Sequence, residues 1–285
     1  MAFISSSCVK NQKIIDAIRE LNAFGFNAIE LSGGTKPYKS MREDLKTIKA
    51  NEGIDLMLHN YFPPPSEDFV LNLASANDKV YQQSVEHCKR AIEISAELET
   101  GKFGFHAGFF IDIKVEEIGK KLSPSDITDK NRAYDRFCEA HTILTQIAGN
   151  DIQLYVENNV FSHSNNASFK GVNPLMLTNC ETYQELKERI DFKLLLDVAH
   201  LKVSCQTLKK DFTTELQSLF NVSDYIHVSD NDGLHDTNNA IELKSSLYQE
   251  LKQLNWSGKT VTLEIYEPLE KVKSSLENIN LLLDA

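Results

Sequence analysis

No CxxC pair occurs in this chain, and its five cysteines (Cys8, Cys88, Cys138, Cys180 and Cys205) are odd in number and widely spaced. Such spacing points away from a disulfide framework and toward reduced thiols packed in the elements of a cytoplasmic protein. Basic residues are in deficit: 30 Lys and Arg stand against 41 Asp and Glu, a net charge of -11. A surface of that sign repels a phosphate backbone unless one basic face is segregated, and only scattered pairs such as Lys120-Lys121 and Lys209-Lys210 occur, so nucleic acid is disfavoured as a partner. The opening MAFISSSCVKNQ lacks the basic and apolar regions of a signal peptide. No apolar run approaches the roughly 18 residues of a membrane span. The expectation is a soluble, cytoplasmic protein with no membrane partner, in which the sequons at Asn166, Asn221 and Asn255 carry no meaning. No Pro/Gly/Ser-rich linker, low-complexity segment or clean internal repeat divides the chain.

What is present is an alternation. Short β-rich apolar runs occupy residues 2–7, 28–32, 54–59, 103–109, 152–158, 192–197, 225–230 and 260–267. Each is followed by a segment of helical period, such as QKIIDAIRELNAFG, NRAYDRFCEAHTILTQIAG and VKSSLENINLLL. Gly25, Gly53 and Gly149 stand where helices would stop. Eight βα units in 285 residues predict an α/β protein, a single (β/α)8 TIM barrel over residues 1–285. An open doubly wound sheet is the other arrangement of such units, but no GxGxxG or P-loop follows the first strand.

A barrel gathers the C-terminal ends of its strands on one face, where barrel active sites sit. At those ends the sequence places His59, His106, Glu157, Asp197, His227 and Glu264, with His200 three residues beyond Asp197. A single histidine in an apolar strand is more often a hydrogen-bonded core residue than a ligand. Glu157 in LYVEN, Asp197 in KLLLDVAH and Glu264 in TLEIYE are harder to explain by packing, because an interior carboxylate is costly unless paired or bound to a cation. With His227 they suit one divalent cation with oxygen and nitrogen ligands. The stretch YIHVSDNDGLHDTN adds Asp230, which can orient a ligand or simply form a turn, and Asp232-Gly233, which reads as a turn. Phe62, Phe109, Phe110 and Tyr266 can stack on a ring or serve as packing. Pro63-Pro64-Pro65 read as a stiff loop, and Lys170 as a solvated side chain.

The order of LYVEN, LLLDVAH, YIHVSDNDG and TLEI resembles the xylose-isomerase-like barrels, the sugar and sugar-phosphate isomerases and epimerases to which endonuclease IV is related. The resemblance covers nearly the whole chain. It implies one metal on Glu157, Asp197, His227 and Glu264, with Mn, Co, Mg or Zn all compatible. It also implies that Glu157 and Glu264 act as a catalytic acid/base pair on a small-molecule sugar, and that His200 contacts substrate, with Asp230 and Asp236 beside it. Barrels of this family often form dimers or tetramers, so a homo-oligomer is allowed. HNYFPPPSEDFVLNLAS and GFHAG are similar to the endonuclease branch, and by that pattern His59, His106 and Glu157 hold a second metal. A third site in that branch uses the D-x-x-H histidine and a D-x-H pair, which here reads Asp236-Thr237-Asn238; the departure from histidine weakens it. Gly233 stands where the ketose epimerases carry an arginine, and the polar SHSNNASFKGVNP lacks the endonuclease's glycine-rich pattern.

Overall fold

The computed structural model describes residues 2–284. Eight parallel strands run in chain order: β1 (Ala2–Ser5), β2 (Ala28–Leu31), β3 (Asp55–His59), β4 (Lys102–His106), β5 (Gln153–Glu157), β6 (Lys193–Asp197), β7 (Tyr225–Val228) and β8 (Thr260–Leu263). Ladder bonds from Ala2–Val261 to Ile4–Leu263 close β1 onto β8, so the sheet is a barrel and not an open sheet. Between and after the strands lie α1 (Ile14–Ala23), α2 (Met41–Glu52), α3 (Asp78–Glu97), α4 (Lys130–Ala148), α5 (His163–Ser168), α6 (Cys180–Lys187), α7 (Val198–Leu208), α8 (Phe212–Val222), α9 (Ser246–Leu251) and α10 (Leu269–Leu283). No helix among the described residues is long and apolar enough to cross a membrane.

Parallel strands covered on both faces must be apolar on both, and here they are. Outward residues such as Ile29, Leu31, Val156 and Val261 join the helix-facing core. Inward residues Phe3, Met57, Tyr155, Leu195 and Tyr225 form a separate cluster that plugs the lower barrel. Tyr155 and Tyr225 meet edge to face with ring centroids 5.3 Å apart. Lys102 Nζ lies 4.9 Å from the Tyr155 ring and closes the plug from the N-terminal end. Gly104 of β4 leaves the space above it, since a methyl there would lie 3.0 Å from Cδ2 of His59. The polar side chains at the opposite rim therefore stand on a packed floor.

Two helices depart from the sequence expectation. α5 lies within the polar segment after β5, capped by the Ser162 side chain on the Asn165 N–H. α7 begins directly after β6, at the D-x-x-H stretch, because the Asp197 side chain accepts the His200 N–H and caps a helix. Its residues are buried nearly all round (Val198, Ala199, Leu201, Val203, Ser204, Cys205), so it has no amphipathic stripe to betray it. The expected fourth and eighth strands end early, at His106 and Leu263. Glu264 is thus the residue just past β8 and not within it.

Candidate metal centre at the barrel mouth

Glu157, last residue of β5 and 1% exposed, is the hub of the site. Its Oε2 lies 2.8 Å from His59 Nε2 and 3.1 Å from His106 Nδ1, and its Oε1 lies 3.5 Å from His227 Nδ1 and 3.8 Å from His200 Nδ1. Strand ladders set these approaches: His106 pairs with Glu157 across β4 and β5, and Asp197 with His227 across β6 and β7. Donor atoms of Glu157, Asp197 and His227 fall within 4.8 Å of one another, as do those of His106, Glu157 and His200. Glu264, just past β8, approaches the first group, with Oε2 3.9 Å from His227 Nδ1. Its other oxygen is occupied, accepting from Ser7 Oγ at 3.0 Å and from the Tyr266 hydroxyl.

The expected site residues therefore converge with two exceptions of degree. His200 is bound through Nδ1 to the Asn158 carbonyl at 2.9 Å and through Nε2 to Asp236 at 3.2 Å, so it lies at the outer edge with Asp236. Asp230 is turned away, its Oδ1 held by Lys202 Nζ at 2.6 Å. Asp232 and His235 pair with each other in solvent, 3.0 Å apart. Asn238, at the place of the D-x-H histidine, points to Ser229 Oγ at 3.3 Å and so does not extend the His200–Asp236 pair.

Three contributors had no part in the sequence expectation. Glu30 of β2 is wholly buried and lies 3.2 Å from His227 Nε2. Asn158 clasps the next strand end, accepting the Asp197 N–H at 2.7 Å and donating to the Asp197 carbonyl at 3.0 Å. Ser7 reaches Glu264 from just beyond β1. Glu30 shows the same signal that marked Glu157, a carboxylate inside an apolar run (AIEL), and could have been found by it.

The buried carboxyls and imidazoles of the mouth shift one another. Burial raises the carboxyl of Glu157, but the neighbouring His106 and His59 rings and the hydrogen bond to His59 outweigh it and hold the group well below the usual carboxylate range. Burial pushes Asp197 up to about 7, with the neighbouring Glu157 and Asp236 carboxylates adding to it. Burial disfavours charge on His227, yet Glu30 and Glu157 pull it well above its ordinary value. Burial pushes His106 down to about 4 against the pull of Glu157, which its Nδ1 faces without a hydrogen bond. Burial opposes charge on His59 and His200 as well, but Glu157 raises the first and Asp197 and Asp236 raise the second. Glu157, Asp197 and His227, with Glu264 beside them, could hold a divalent cation, and the mixed oxygen and imidazole donor set fits one.

A family model for the xylose isomerase-like TIM barrel matches residues 18–282. The chain belongs to that family. Among solved structures it is similar to a D-tagatose 3-epimerase-like protein, with TM-score 0.72 and 18% identity over 99% of this chain and 97% of that one. D-psicose 3-epimerase from Clostridium cellulolyticum superposes with TM-score 0.67 and 13% identity over 99% of each chain. Endonuclease IV from Thermus thermophilus does so with TM-score 0.62 and 16% identity, over 99% of this chain and 98% of that one. No curated protein matches the sequence significantly. At these identities the likeness shows the shared barrel.

Proposed function

We propose that this barrel is a divalent-metal-dependent sugar isomerase or epimerase that moves a proton at a carbon beside a carbonyl. The observation that carries the reading is the approach of Glu157 and Glu264 to the same atom, His227 Nδ1, at 3.5 and 3.9 Å, with Asp197 in the same group. Family membership and the sugar epimerases among similar structures support it. Glu157, Asp197, His227 and Glu264 would hold the ion, for which Mn, Co, Mg and Zn all suit the donors. Such an ion, when bound, polarises a carbonyl and its neighbouring hydroxyl.

The proton steps belong to the chain. One glutamate takes the proton from the carbon beside the carbonyl. The C–H pair becomes the C=C bond of an enediolate, and the carbonyl π pair moves onto oxygen. For epimerisation the other glutamate, protonated at the outset, delivers its proton to the opposite face. For isomerisation the first returns its proton to the adjacent carbon; the hydroxyl on the deprotonated carbon gives up its proton to the former carbonyl oxygen, and its O–H pair forms the new carbonyl. Glu264 is suited to a proton step because Ser7 and Tyr266 occupy Oε1 and leave Oε2 facing the centre. Each such step is worth about 10²–10⁴ in rate. His200 and Asp236, at the outer edge, would meet substrate hydroxyls.

A second reading, a zinc phosphodiesterase acting on abasic DNA, is favoured by one contact set: His59 and His106 both on Oε2 of Glu157. The net charge of -11 and the inward turn of Asn238 oppose it. Metal per chain, counted on protein purified without added metal or chelator, separates the two. About one ion, lost in Glu157→Gln, together with turnover in a sugar panel supports the isomerase. Two or more zinc ions, one lost in His59→Ala or His106→Ala, with cleavage of abasic DNA, would reverse the choice.

A further inference from the structure

We infer that Glu30 is the positioning residue of His227: it holds the ring with Nε2–H toward β2 and Nδ1 toward Glu157 and Glu264, and cation affinity at the barrel mouth depends on that hold. The inference rests on the proposed role of His227 as a ligand. Glu30 sits in β2, opposite Ser5 of β1 and Met57 of β3, and it is 0% exposed. A carboxylate withdrawn from water costs stability unless donors compensate it. Its Oε2 has two, His227 Nε2 at 3.2 Å and Thr262 Oγ1 at 3.1 Å, while Oε1 is buried with none. An apolar residue would fill this place in the barrel with less loss, so packing does not account for it.

The contacts run across the barrel. His227 and Thr262 are ladder partners on β7 and β8, and Glu30 reaches both from β2. The Tyr225 hydroxyl lies 3.5 Å from His227 Nε2 and 3.4 Å from Thr262 Oγ1, on the same side of the ring. The hydrogen-bonding groups on Nε2 therefore form one set anchored on Glu30, with the His59 ring packed edge to face on His227 beside it. The opposite nitrogen, Nδ1, is buried and has no hydrogen-bond partner, although two carboxylates approach it. An imidazole that donates through Nε2 keeps its Nδ1 lone pair for a cation, and a carboxylate behind the ring fixes its orientation and raises its basicity. Glu30, His59 and His227 also lie close enough to form a ligand group themselves. The Oε2–Nε2 contact of 3.2 Å is instead the length of a hydrogen bond.

The test uses the full chain as wild type, Glu30→Gln and Glu30→Ala. Zinc affinity is read by competition with a chromophoric chelator, and the proton on the His227 ring by 15N NMR, with and without zinc. We expect the wild-type proton on Nε2, protected from exchange, and zinc binding weakened about 10–100-fold in both variants at unchanged stoichiometry. The metal-free Glu30→Gln chain should still melt cooperatively with an unchanged far-UV spectrum, so that its weaker zinc binding is not loss of the barrel. Affinity within about twofold of wild type in both variants, a proton kept on Nδ1 when zinc is bound, or loss of a whole ion would overturn the inference. Should wild type bind no zinc, the cation reading fails by itself. The zinc-free spectra then decide on Glu30: loss of the protected Nε2–H signal in Glu30→Ala upholds the hold on the ring, and its persistence refutes it.

Discussion

A single methyl group added at Gly104 tests whether the floor of the barrel and the site above it are one packed unit. Alanine there would place Cβ 2.6 Å from Cδ1 of Leu195, 3.0 Å from Cδ2 of His59 and 3.7 Å from Cε1 of Tyr225. Carbon atoms prefer about 3.5–4.0 Å, so the first two contacts are too close by roughly 1 Å and 0.5 Å. Leu195 is fully buried in the interior cluster, and His59 is tied to Glu157 at 2.8 Å, so neither yields freely. Overpacking of this kind costs about 1–3 kcal/mol, offset by about 0.4–1 kcal/mol from a stiffer unfolded chain. The middle of the two ranges leaves a net of about 1.3 kcal/mol, a melting point lower by about 3–5 °C for a chain of this size. Gly108→Ala is the comparison. Its methyl would lie 2.4 Å from Cβ of Ala74, a side chain with nothing to rotate, so the backbone itself must move. Calorimetric melting of both variants should show the larger drop for Gly108→Ala. An unchanged melting point in Gly104→Ala, or the reverse order, would refute the packing argument. His59 should also lose its contact with Glu157 in Gly104→Ala, visible as a changed His59 ring signal by NMR.

Acid should destabilise the fold through histidines remote from the site. Burial pushes His87 and His141 down to about 4, so both are neutral when folded. Their contribution is fully present above the unfolded value of about 6.5 and is lost as pH falls toward 4, at about 2 kcal/mol each between pH 7 and pH 5. Urea unfolding at the two pH values measures it, and an unaltered pH dependence in His87→Leu would contradict it. At the rim, Tyr266→Phe removes one of the two donors on Glu264 Oε1 and leaves Ser7. If Glu264 moves a proton, kcat on any sugar the protein turns over should fall on the order of tenfold with KM little changed. A KM effect alone would make Tyr266 a binding wall instead.

The alternation of apolar runs and helical segments was enough to read the barrel, because each strand is covered on both faces and leaves an unbroken apolar signature. The same cover explains what was legible at the mouth. Glu157 and Asp197 stand out because a carboxylate in such a run has no solvated face to turn to. Glu30 in AIEL carries the same mark and lies at the same depth, yet its partners, His227 and Thr262, are 197 and 232 residues away, and nothing local points to them. The acidic stretch after β7 fails in the opposite way. Its residues are metal-capable by type, but direction depends on what the loop meets. Asp236 turns inward to His200 on α7, whereas Asp230 turns to Lys202 on that same helix. α7 is buried nearly all round and so has no period to reveal it. An undetected helix thus hid the cation that neutralises Asp230, and composition alone made the loop look richer in ligands than it is. Buried carboxylates in strands can be trusted to mark a buried polar cluster because desolvation forces a partner on each of them. Carboxylates in loops cannot, because a lysine or a turn N–H satisfies them equally well.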